Sequence, residues 1–223
     1  MKIRCSAIGK IMTSPKTKGE LLSQTTKTYL QELAIEEVYG IRKEFSSRYT
    51  DKGNEVEDLS IALCNDVLDL GFIYKNEEHF TNDWITGTPD VNTNEILLDV
   101  KSSYDATTFP FFDTDLKNKM YFYQLQGYMW LTGKQESLLC YCLINTPLQI
   151  VEDEIRREHW KASLIDEDLN LRDFVQAKHI FDHIPKEKRL KTFVIERDEK
   201  VIEEIKTRIE QCRDYYNDLI KIL

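Results

Sequence analysis

The chain has 223 residues, 41% apolar and 31% charged, the balance of a soluble globular protein. No apolar run approaches the ~20 residues of a membrane-spanning helix, and Met1–Ser6 starts positive but has no apolar stretch behind it. The chain therefore reads as cytoplasmic, with no secretory or membrane segment expected. A formal net charge of −9 counts against a wholly basic surface for a polyanion but leaves room for local patches.

The first segment is such a patch: Lys2, Arg4, Lys10, Lys16, Lys18 and Lys27 stand against Glu20 alone. Residues 18–45 carry Leu21, Leu22, Tyr29, Leu30, Leu33, Ala34 and Val38 at helical spacing, with Gly40 as a stop. Glu55 to Leu70 repeats the pattern with Val56, Leu59, Leu63, Val67 and Leu70, and Gly71 ends it. The period then changes. Residues 72–80 read as a strand, Asn82-Asp83 as a turn, Trp84 to Val91 as a second strand, and Asn92-Thr93-Asn94 as a second turn. Glu95 to Ser102 is the third and most strand-like run. Residues 117–132 return to helical spacing, and Leu138 to Ile144 is again a strand. A mostly helical tail follows. In it Asp198 is a helix N-cap, and Val201, Ile202, Ile205, Ile209, Cys212, Tyr216 and Leu219 form a packing stripe.

The expected architecture is a mixed α/β fold: a core of helix, three-strand meander, helix and strand, with a C-terminal helical extension. No repeat, low-complexity run or linker interrupts it, so residues 1–223 read as one domain with its core over about residues 45–150. Cys5, Cys64, Cys140, Cys142 and Cys212 lack CxxC spacing and read as buried small apolar residues, not as a zinc or iron–sulfur site.

The chemistry gathers in Thr86-Gly87-Thr88-Pro89-Asp90 and Asp99-Val100-Lys101. Residues 99 and 101 project from one face of a strand. A hairpin folding near Asn94 would set Asp90 opposite Asp99, at the ~5 Å of cross-strand neighbours. Two close carboxylates repel unless a cation neutralises them. An oxygen-rich pair beside a lysine suits a hard ion such as Mg²⁺ or Mn²⁺, and the lack of His and Cys there disfavours zinc. Spacing alone leaves a second reading open, a surface ion pair of Asp99 with Lys101 and a turn capped by Asp90.

Gly87-Thr88-Pro89-Asp90 followed by Asp99-Val100-Lys101 resembles the signature of the PD-(D/E)xK nuclease superfamily. Gly53-Asn54-Glu55-Val56-Glu57 resembles the Gly-xxx-Glu element of its lambda-type (YqaJ-like) phage exonucleases and RecB-like relatives. Tyr121-Phe122-Tyr123-Gln124 is similar to the Tyr-xx-Gln motif of the same branch, and Cys5-Ser6-Ala7 through Ile11-Met12-Thr13 to its Ser-containing opening. The likeness spans about residues 4–145 and implies a restriction-endonuclease-like core.

Carried over by position, it implies that Asp90, Asp99, the Val100 carbonyl and Glu57 hold Mg²⁺, with Mn²⁺ as a substitute. Lys101 would orient the attacking water and offset charge on the phosphate, and Gln124 would position that water or Lys101. The motif spacing selects Glu57 over Glu55. The implied activity is 5′-to-3′ exonuclease action on linear double-stranded DNA in phage-type recombination. A strand-annealing protein is the implied partner, and a ring-shaped homo-oligomer the implied assembly.

Candidate DNA contacts are Ser6, Lys10, Tyr121 and Arg189. Tyr121 equally suits a helix core, and Arg189 lies in the basic run Lys186, Lys188, Arg189, Lys191, whose default is a solvated loop. Phe109-Pro110-Phe111-Phe112 reads first as an apolar loop anchor and second as a wedge at a DNA end. His179 and His183 read as a solvated helix face. Three rivals remain: a RecB-like single-strand nuclease, a structure-specific endonuclease, and a DNA-binding module without catalysis.

Overall fold

The computed structural model describes residues 1–43, 47–71 and 73–223. In chain order the elements are β1 (Ile3–Arg4), α1 (Ile8–Ile11), α2 (Gln24–Tyr39), α3 (Arg48–Glu55), α4 (Glu57–Leu68), β2 (Phe80–Thr81), β3 (Ile85–Gly87), β4 (Val91–Asn92), β5 (Leu97–Ser102), α5 (Lys119–Thr132), β6 (Glu136–Cys142), α6 (Leu148–Lys161), α7 (Leu169–Ala177), β7 (Leu190–Glu196) and α8 (Glu199–Ile222). The mixed α/β architecture matches expectation, including the C-terminal helix.

Helix boundaries follow local chemistry. The Ser23 hydroxyl accepts the Thr26 N–H at 3.0 Å, so α2 begins at Gln24 and not at residue 18. Gly40 stops it at a φ of 68°, the left-handed position glycine takes without strain; residues 44–45 of the expected helix lie outside the described residues. The expected helix from Glu55 to Leu70 is two helices, α3 and α4, meeting at Val56. That residue leaves helical geometry (φ −108°, ψ 12°) while its side chain is buried. The break puts Glu57 in the first turn of α4.

The expected meander is split between two sheets. β3 pairs with β1 in parallel and with β2 antiparallel, whereas β4 belongs to a second sheet of order β4-β5-β6-β7. The division falls at Thr88-Pro89-Asp90, because Pro89 has no N–H to give a ladder. The expected strand over 72–80 shrinks to Phe80–Thr81, and Phe72 lies outside the described residues. In place of ladder bonds, the Asn76 N–H donates to the Asp90 carbonyl at 2.7 Å and its side-chain amide to the Pro89 carbonyl at 3.0 Å.

β5 and β6 are parallel neighbours joined by α5, and β7 runs antiparallel along the whole of β6. Strand β7 was not expected, because its basic flank reads as loop. β5 is buried on both faces: Leu97 belongs to the core that also takes in residues of α1, α2, α5 and α8, while Leu98 and Val100 belong to the one with Val56, Ile61 and Cys64 of the α3–α4 layer. The α8 residues Ile205, Ile209, Cys212 and Tyr216 join the first of these cores, and Ile202 on the same stripe is buried as well. At ~1.5–3 kcal/mol per buried large apolar side chain, α8 is a structural wall of its own chain. The Asp198 carboxylate caps it as expected, accepting the Lys200 N–H at 2.9 Å.

Candidate active site

Val91 pairs with Leu98 and Asn92 with Leu97 across the β4–β5 hairpin. One step further along that antiparallel register brings Asp90 beside Asp99, as the spacing predicts. The contact is direct: the Val100 N–H donates to Asp90 Oδ2 at 2.7 Å. Asp99, 1% exposed, makes an ion pair with Lys101 on the same face of β5. Asp99 Oδ1 accepts the Gln124 side-chain amide at 3.2 Å, and the same Gln124 nitrogen donates to the Tyr128 hydroxyl at 3.0 Å. Gln124 thus spends one amide proton on Asp99 and the other on Tyr128, which ties Asp99 to α5. Lys101 Nζ also reaches the Val100 carbonyl at 3.3 Å and lies 5.1 Å from the centroid of the Tyr121 ring.

Asp90, Val100, Lys101, Tyr121 and Gln124 line a cleft of about 780 Å³ together with Ser6, Arg42, Tyr49, Ser103 and Tyr141, while Asp99 is buried and does not line it. Glu57 enters it from the first turn of α4, while Glu55 is exposed and lies off it. Glu57 is engaged, since Lys75 Nζ donates to its Oε2 at 2.8 Å.

The electrostatics follow from crowding acids in a dry place. Burial, then the charge of Asp99, pushes the Asp90 carboxyl up to about 7, with Lys101 and the Val100 N–H pulling the other way. Burial alone would lower the Lys101 ammonium, but Asp99 and Asp90 outweigh it and hold the group above the usual lysine range. Lys101 is a cation at neutral pH.

The donor set is chemically apt for a hard dication: two carboxylates and a carbonyl, all oxygen. Asp99 Oδ2 is buried with no hydrogen bond, only the ammonium beside it. Among the described residues, however, no three His, Cys, Asp or Glu side chains converge as a metal-holding set.

No protein-family model matches the chain, and no curated protein does. Solved structures do. The crystal structure of a phage-related exonuclease from Haemophilus somnus 129PT matches with a TM-score of 0.79 at 32% identity, over 99% of this chain and 96% of that one. The chain belongs to the phage-related exonucleases. An alkaline exonuclease from Laribacter hongkongensis, LHK-Exo, shares the fold with a TM-score of 0.67 at 17% identity over 99% of this chain and 90% of its own. Its complex with dAMP matches at 0.65 and 18% over the same shares. The resemblance to the lambda-type branch of PD-(D/E)xK nucleases, drawn over about residues 4–145, is thereby borne out, and the structural match extends over 99% of the chain.

Within this phage-type exonuclease fold the other candidates scatter. Ser6 and Tyr121 line the cleft. Lys10 lines an adjoining hollow with Arg4, Arg42 and Lys43, where Arg4 pairs with Glu36 and Lys43 with Glu32. Arg189 stands apart, bonded to Asp182 at 3.2 Å where β7 begins. Arg42, Tyr49 and Lys75 escape sequence reading because no periodicity or motif marks them.

The five cysteines are buried and free, as expected. His179 is not on a solvated helix face: it lies past the end of α7, 2% exposed, its Nδ1 2.9 Å from the Thr146 hydroxyl. Phe109 anchors its loop against Leu143 and Phe181, while Phe112 is 96% exposed. Among the described residues, no helix is long and apolar enough to cross a membrane.

Proposed function

We propose that the protein is a Mg²⁺-dependent deoxyribonuclease that digests linear duplex DNA from its 5′ ends. The observation that carries this reading is the meeting of Asp90 and Lys101, both lining the cleft, with the buried Asp99, in a chain of the phage-exonuclease family. Asp90, Asp99 and the Val100 carbonyl would hold the ion, with Glu57 adding its carboxylate directly or through water. When bound, Mg²⁺ or Mn²⁺ supplies a water acidic enough to act as a nucleophile at neutral pH, and positive charge beside the phosphoryl oxygens.

The chain's own groups do the rest. Lys101 keeps its proton, so it acts as a hydrogen-bond donor and counter-charge to the phosphate and not as a base. Gln124 locks the Asp99 carboxylate in one orientation. Tyr121 confines Lys101 from above. Ser6, lining the cleft, and Lys10, in the adjoining hollow, serve the DNA backbone, with contacts that hold strand register while carrying little sequence information.

The test incubates linear and closed-circular plasmid with wild-type protein and Asp99→Asn, with and without Mg²⁺. Linear DNA shortens only with Mg²⁺ and wild-type protein, and 5′-labelled ends are released first. Cleavage of intact circles would refute the exonuclease reading, and equal activity in chelator would refute the metal.

A further inference from the structure

The acid that would complete the metal-holding set is taken by a cation of the chain itself. Lys75 Nζ sits 2.8 Å from Glu57 Oε2. It is held above the usual lysine range by that hydrogen bond first, and by the charges of Glu57, Asp58 and Asp90. Its backbone is stapled to the turn that presents Asp90. The next residue, Asn76, donates its N–H to the Asp90 carbonyl at 2.7 Å and its side-chain amide to the Pro89 carbonyl at 3.0 Å. The fold thus anchors the base of Lys75 at the rim of the acidic site, while its half-exposed side chain is free to turn.

An ammonium and a dication drawn to the same carboxylates repel each other, and a long flexible lysine can withdraw to water at little cost. We propose that Lys75 is a built-in counter-cation of the acidic site, covering Glu57 in the metal-free protein and swinging out when a divalent cation binds. This rests on the metal reading above. Lys75 then limits affinity for the ion while keeping the empty site from repelling itself apart. An ion pair that does not compete with the ion for Glu57 would leave ion affinity unmoved.

The experiment titrates Mn²⁺ into wild-type protein, Lys75→Met and Lys75→Gln, following free Mn²⁺ by its paramagnetic resonance signal. Melting is measured with and without the ion. Both variants should bind Mn²⁺ about three- to ten-fold tighter, melt lower than wild type without it, and gain more from adding it. Wild-type uptake with unchanged affinity in the variants overturns the proposal alone. Weaker binding in the variants overturns it too, and makes Lys75 a device that orients Glu57. No Mn²⁺ uptake by any of the folded proteins overturns the metal reading and this proposal with it.

Discussion

Lys52 is the most expensive residue near the cleft, and its cost can be read out as a pH profile. It is 0% exposed, with Nζ donating to the Tyr104 carbonyl at 2.8 Å and lying 5.2 Å from the centroid of the Phe181 ring. Burial lowers its ammonium from the ordinary 10.5 to about 8. Since each pKa unit is worth ~1.4 kcal/mol, keeping the charge inside at neutral pH costs the fold about 3 kcal/mol. Between those two values the unfolded chain still holds a proton that the folded one has released. Unfolding free energy therefore rises with pH across the window, and below pH 8 the cost is present in full. Lys52→Met lacks this term. Urea denaturation of both proteins at about pH 7.5, 9 and 10.5 should show wild type gaining about 3 kcal/mol on the variant. Tyrosine ionisation cancels in that difference. Parallel profiles would mean that water or a counter-charge reaches Lys52, and would refute the burial argument.

Three further outcomes follow from contacts around the same cleft. Gln124→Leu removes the donor that orients Asp99 and should weaken Mn²⁺ uptake by about 10- to 100-fold; calorimetric titration checks it, and unchanged uptake would free Gln124 of any orienting part. At Gly87 an added Cβ would stand 2.8 Å from Tyr128 Cε1 and 2.9 Å from Cys5 Sγ, so Gly87→Ala should lose about 1–3 kcal/mol to overpacking in thermal melts. Phe112→Ala, at a side chain 96% exposed, should shift stability by less than about 0.5 kcal/mol. A fall in digestion rate with an unmoved melting temperature would then assign Phe112 to DNA, and equal rates would leave it a bystander.

Where side-chain periodicity and covalent geometry act locally, the sequence was legible. β5 announces itself through Leu97-Leu98-Asp99-Val100, buried on both faces, and the two-residue repeat puts Asp99 and Lys101 together without help from elsewhere. Asp198 and Gly40 mark helix ends because their caps depend on neighbours only a few residues away. Legibility failed where distant partners decide. The sheet break at Pro89 is stabilised by Asn76, thirteen positions earlier. β7 exists because β6 offers a bare edge of seven residues, and nothing within Leu190–Glu196 declares that edge. Lys52 looks like any surface lysine until Tyr104 and Phe181 close over it.

A strand buried on both faces is an unfavourable place for charge, and β5 carries its charges late, toward its carboxyl end. Leu97 and Leu98 secure the strand in both cores, Asp99 is sealed, and Lys101 leans out into the cleft. Ligands of α/β sheets gather beyond the carboxyl ends of the strands, where burial can be given up gradually. The carboxyls of Glu57, Asp90 and Asp99 there meet the ammoniums of Lys75 and Lys101, and their crowding is part of what pushes Asp90 up. On the proposed reading a dication relieves that crowding, and the bound ion reverses the local field for an incoming phosphate. A chain with a net charge of −9 can then act on a polyanion by borrowing positive charge at one point of need, in place of spreading it over its surface.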